Sequence, residues 1–106
     1  MKNLGNLMKQ AQQMQARMEE AQATLADAEV EGSSGAGMVS AVMTGKGELK
    51  RLKIDPSLVD PAEVEVLEDL VVAACADAKA KAEAHAAEEM KKVTGDLPLP
   101  PGLRLF

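Results

Sequence analysis

The chain has 106 residues, a formal net charge of -5, one cysteine and a single aromatic residue, Phe106. One cysteine excludes an internal disulfide, and no run of about 18 apolar residues exists to cross a membrane. A core without Trp or Tyr must be built from Leu, Val, Ile, Met and Ala. A core that thin in a chain this short favours a homodimer in which two copies share burial.

Leu4, Leu7, Ala11, Met14, Met18, Ala21, Leu25 and Ala28 recur at alternating spacings of three and four. That period predicts a helix over 3–27 that lies along another helix. At about 1.5 Å per residue the helix is roughly 35 Å long. A strand is predicted at 28–33, with Val30 between Glu29 and Glu31. The stretch from Gly32 to Gly37 reads as a loop, because Gly and Ser supply turn geometry at little cost. Strands at 38–44 and 48–55 flank a Gly45-Lys46-Gly47 hairpin turn. In the last strand, alternation places Lys50, Leu52 and Ile54 away from Arg51 and Lys53. Close spacing makes the three strands an antiparallel meander.

Asp60-Pro61-Ala62-Glu63 is a helix start, with Asp60 as cap, Pro61 at the first helical position and Glu63 placed for a capping box. The second helix is predicted over 61–94, with Gly95 as its stop. Its front half, Val64–Ala76, is apolar over a wide arc and is expected to pack on the sheet. Its Ala-rich back half is expected to lie along the first helix. The fold class is therefore α+β: long helix, three-stranded antiparallel meander, long helix. A single domain is expected over 1–95. Residues 96–106, with Pro98, Pro100 and Pro101, read as an extended Pro-rich tail.

No catalytic residue is expected. His85, the only histidine, sits among alanines with no activated nucleophile nearby and reads as a solvated surface residue. Cys75, among Ala and Val, reads as a small core residue. One Cys and one His ten residues apart make no metal site. Gly32, Gly35 and Gly37 lack the Lys and Ser/Thr that complete a phosphate loop. No cofactor and no metal follow. Met1-Lys2-Asn3-Leu4-Gly5-Asn6 lacks the apolar stretch of a secretory signal, so a cytoplasmic location is expected.

A nucleic-acid binder is usually basic, and the total charge argues against one. The distribution matters more. Residues 55–72 carry six acids and no base. Glu63, Glu65, Glu68 and Asp69 among them suit a helix N-terminus. In the helical hairpin, Lys2 and Lys9 from the first helix meet Lys91 and Lys92 from the second at the outer tip. Arg17, Lys79 and Lys81 lie further down the shaft. A second basic group, Lys46, Lys50, Arg51 and Lys53, either binds phosphate or balances neighbouring acids and blunts a strand edge.

Leu4-Gly5-Asn6-Leu7-Met8-Lys9-Gln10-Ala11-Gln12-Gln13-Met14-Gln15 resembles the opening of the YbaB/EbfC nucleoid-associated proteins of bacteria. Four further stretches agree, in the family's order: Gly35-Ala36-Gly37 with the following strand, Ile54-Asp55-Pro56-Ser57-Leu58, Leu67-Glu68-Asp69-Leu70-Val71 with its Ala-rich continuation, and Pro100-Pro101-Gly102. The resemblance implies a homodimer whose sheet is shared between copies and whose helical hairpins project as arms. It implies binding of double-stranded DNA in the nucleoid, with effects on nucleoid organisation and gene expression, no cofactor and no enzymatic activity. It places the DNA-binding residues at Lys2, Lys9, Arg17, Lys79, Lys81, Lys91 and Lys92. It leaves replication or repair proteins open as partners. Glu83, Glu88 and Glu89 depart from a purely basic arm. The rival reading is a chaperone-like or adaptor protein, because a helical hairpin on a β base is also similar to a prefoldin tentacle.

Overall fold

The computed structural model describes residues 2–95, with side chains described for 3–93. The expected Pro-rich tail at 96–106 lies outside the described residues. Helix α1 spans Lys2–Asp27, followed by strands β1 (Glu29–Ser34), β2 (Val39–Thr44) and β3 (Leu49–Ile54), then helix α2 (Val64–Gly95). The strands form an antiparallel sheet in the order β1-β2-β3. The α+β class and the meander are as expected. The molecule is elongated, 73 × 24 × 16 Å.

Helix α2 crosses β1 and β2. Val39, Ala41 and Met43 of β2 alternate inward and meet Ala74 and Ala78, with Leu70, Val71, Cys75, Ile54 and Leu58 at the margin. Cys75 thus packs against the core, as its surroundings predict. The expected division of α2 is shifted: Val64, Val66 and Val72 are exposed, and the alanines that were to line α1 pack on the sheet instead. Small side chains let the helix axis come close to the strands.

The loop expected from Gly32 to Gly37 is shorter, since Gly32–Ser34 continue β1. Gly32 is buried beneath α2, and a Cβ there would lie 2.1 Å from the Ala78 amide nitrogen. Its missing side chain serves packing rather than a turn. The turn itself is Gly35–Gly37, where Ala36 takes a left-handed conformation with φ 54. Asp77 reaches the outer edge of β1, where its Oδ2 accepts from the Ser33 amide at 3.0 Å. That bond, and then the Lys81 ammonium, hold the Asp77 carboxyl below its usual range.

The entry to α2 carries the expected cap with one difference. Asp60 Oδ1 accepts from the Ala62 amide at 3.0 Å, but residues Pro61–Glu63 form a 3-10 turn and α2 begins at Val64.

The alternation expected in β3 breaks at a register shift opposite Val42 and Met43. The irregularity turns Lys50 to the same side as Arg51, and both reach Glu29 of β1. Arg51 Nη2 donates to Glu29 Oε1 at 2.7 Å and Lys50 Nζ to Oε2 at 3.0 Å. These contacts, Arg51's first, hold the Glu29 carboxyl at about 2 against an ordinary 4.5. A lowered carboxylate value stabilises the fold fully above pH 4.5 and loses that contribution as pH falls towards 2. Denaturation curves across that window are expected to show a shallower pH dependence for Glu29→Gln than for the parent. The difference is small because the side chains are 39–59% exposed and solvent screens them. Identical pH dependence in the two proteins would show that the cluster contributes nothing.

Helix α1 departs most from expectation. Of its apolar stripe only Ala21 and Leu25 are buried, while Leu4, Leu7 and Met18 are 62%, 59% and 38% exposed. The cause is the length of α2, which covers the sheet first and meets α1 only near its own end. There Glu89, Lys92 and Val93 face Arg17, Glu20, Ala21 and Thr24. Residues 3–13 of α1 are all exposed and run past the last described turn of α2. That overhang is about 18 Å from Met14 to Lys2.

Candidate nucleic-acid interface

The overhang of α1 decides where the basic residues lie. Lys92 stands beside Arg17 in a groove that also holds Glu20 and Glu89. Lys9 is eight residues nearer the α1 start, about 12 Å further out. Lys2 opens the helix further out still, and its side chain lies outside the described residues. The four lysines expected to meet at the tip therefore separate into two levels. Only Lys2 and Lys9 belong to the projecting part.

Lys9 is two residues from both Leu7 and Ala11, so at about 100° per residue it points away from the apolar stripe. Helix α1 thus has an apolar side and, opposite, a side carrying Lys9, which is exposed and has no carboxylate partner among the described residues.

The α2 lysines do not form one patch. Lys79 and Lys81 are two residues apart and stand on opposite flanks of the helix. Lys81 Nζ lies 3.0 Å from Asp77 Oδ2. Lys91 Nζ is 3.9 Å from Glu88 Oε1, and Lys92 Nζ is 3.4 Å from Glu89 Oε1. The glutamates that depart from a purely basic arm thus sit against its lysines. Such exposed pairs are weak, yet each places negative charge where a phosphate would approach.

In the second basic group, Lys50 and Arg51 are engaged by Glu29, which favours the charge-balancing reading for these two. Lys46 and Lys53 remain exposed. The pairing of Glu29 with β3 escaped the sequence reading, although Glu29-Val30-Glu31 and Lys50-Arg51 on strands of one meander are its signal. His85 is half-buried rather than fully solvated. Among the described residues no cluster of His, Cys, Asp or Glu could hold a metal ion, and no helix is long and apolar enough to cross a membrane.

The chain is similar to known proteins along nearly its whole length. It is 70% identical over 105 residues to a nucleoid-associated protein of Paramagnetospirillum magneticum, covering 99% of this chain and 98% of that one. It is 65% identical to a nucleoid-associated protein of Granulibacter bethesdensis at the same coverage. Among solved structures, an uncharacterized protein of Helicobacter pylori shares the fold at a TM-score of 0.63 and 27% identity, over 88% of this chain and 90% of that one. Residues 1–97 match the model of a family described as DNA-binding, which is not a family of enzymes. The chain belongs to the YbaB/EbfC DNA-binding family.

Proposed function

We propose that this protein binds double-stranded DNA as a homodimer and acts as a nucleoid-associated protein in the bacterial nucleoid. The observation that carries the reading is the family match over 1–97, with relatives of that name at 65–70% identity. Contacts to the phosphate backbone supply the affinity, and few base edges are read. The projecting part of α1 is the arm, and Lys2 and Lys9 are its first contacts. Arg17, Lys79, Lys81, Lys91 and Lys92 add long-range attraction from the shaft, reduced by Asp77, Glu88 and Glu89. Binding of this kind changes nucleoid organisation and, through it, gene expression.

Titration of random-sequence duplexes at low salt tests the reading. Saturable binding with little sequence preference is expected. No binding to any duplex at low salt would overturn it. The exposed Leu4, Leu7 and Met8 favour a second reading, in which the arm grips unfolded chains. Suppression of aggregation without DNA binding would establish that one.

The homodimer is supported by β3. Strand β3 pairs with β2 alone, so its other edge is open among the described residues. Leu49 and Leu52 beside that edge are 52% and 40% exposed. Joining two copies there would continue the sheet and bury these leucines, and Glu29 already offsets part of the positive charge of β3. Leu52→Asp is expected to sediment as a monomer with its helix content retained. A Leu52→Asp protein that remains dimeric would place the interface elsewhere.

A further inference from the structure

The apolar side of the α1 overhang is the largest feature of the fold with no counterpart among the described residues. Leu4, Leu7 and Met8 are 59–62% exposed, and Ala11, Met14 and Met18 continue the stripe inward. Contiguous apolar surface of this kind normally has an occupant. We infer that the occupant is the chain's own residues 96–106, which run outward along α1 from the end of α2.

Three observations support this occupant. The first is position: Val93 is buried against the flank of α1 near Arg17 and Ala21, and α2 stops two residues later. The next residue therefore starts at the inner end of the stripe. The second is length. Eleven residues follow Gly95, and in extended or polyproline form they span about 34 Å. The stripe from Arg17 to Leu4 is about 20 Å long, so the segment reaches its outer end with residues to spare. The third is composition. Leu97, Leu99, Leu103, Leu105 and Phe106 are apolar, and only Asp96 and Arg104 are charged. Leu97 with Leu99, and Leu103 with Leu105, fall on one side of an extended segment. Pro98, Pro100 and Pro101 restrict the unbound chain and lower the entropy lost on docking.

Tethering also decides between this segment and a second copy. A segment joined directly to the groove has an effective concentration in the millimolar range, which a second copy does not match at ordinary protein concentrations. Docking would leave the Lys9 side of α1 uncovered. The inference is independent of the DNA-binding reading.

The chain has no Trp or Tyr, so Phe106→Trp in the full chain introduces the sole strong fluorophore. Its emission is expected to be shifted to the blue of the same protein in denaturant. Adding Leu7→Asp in the same chain is expected to return the emission to the exposed position without loss of helix content. Leu103→Trp serves as a second probe at another depth. When Phe106→Trp and Leu7→Asp are placed on separate chains and mixed, the blue shift should persist. Exposed-type emission from both probes would overturn the inference, as would a blue shift indifferent to Leu7→Asp. Loss of the shift on mixing would overturn it in favour of docking on another copy.

Discussion

Gly32→Ala is expected to destabilise the protein by about 3 kcal/mol, the upper end of the usual cost of overpacking a core. A Cβ at Gly32 would lie 2.1 Å from Ala78 N, 2.6 Å from Ala78 Cα and 2.8 Å from Ala74 O. All three are backbone atoms of α2, so no rotamer change relieves the clash. The helix must lift from β1, which opens the layer holding Val39 and Ala41, both fully buried. Few other residues hold α2 down, since the core cluster is Val39, Ala41, Met43, Ala74 and Ala78. For a domain of this size about 3 kcal/mol lowers the melting temperature by more than ~10 °C. Thermal melts followed by far-UV circular dichroism measure it. Ala78→Gly should not rescue Gly32→Ala, because the atoms met are not side-chain atoms. Rescue would show that the contact is ordinary side-chain packing, and a melting temperature within a degree or two of the parent would show that the helix is not seated as closely as described.

Gly32 also shows what the sequence could and could not reveal. In the sequence it is the first of a Gly- and Ser-rich run and reads as a turn. Its role comes from a helix more than forty residues away, and local pattern carries no trace of that. The strand alternation and the Asp60-Pro61 start are local signals, so the order of elements was legible. The register irregularity in β3 depends on pairing with β2, so the side taken by Lys50 was not. The apolar stripe from Leu4 to Ala28 correctly marks one side of a helix, but periodicity does not say how far a partner helix reaches. Helix α2 covers the sheet with Leu70 to Ala78 before Val93 meets α1. The hairpin expected to close at its tip therefore closes only near its base. The opposite flanks of Lys79 and Lys81 were legible, since two residues span about 200° on a helix. The partners of Lys91 and Lys92 were half legible, because Glu88 and Glu89 stand three residues before them.

That geometry ranks the proposed DNA contacts. Lys2→Glu with Lys9→Glu is expected to weaken duplex binding by at least about 100-fold at low salt, while Lys91→Glu with Lys92→Glu has a clearly smaller effect. The first pair lies on the projecting arm, where Lys9 has no carboxylate partner among the described residues. The second lies at the level of Arg17 and already faces Glu88 and Glu89. A parent dimer that neutralises about four to six phosphates should show a slope near -4 to -5 in log K against log salt. Each lost phosphate contact lowers that slope by about one. Reversal at positions 2 and 9 in both copies would therefore remove about four and leave a nearly salt-independent residue of binding. Reversal at 91 and 92 also leaves Glu88 and Glu89 beside new acids at three residues' spacing, so some helix fraying is expected. Helix content must therefore be measured alongside affinity. Anisotropy titrations of one duplex across several salt concentrations, with sedimentation to confirm an unchanged assembly, give both slopes. A larger loss from the 91 and 92 pair would move the interface to the groove between Arg17 and Lys92. An unchanged slope in both variants would remove the arms from the interface and turn attention to Lys46 and Lys53 at the sheet.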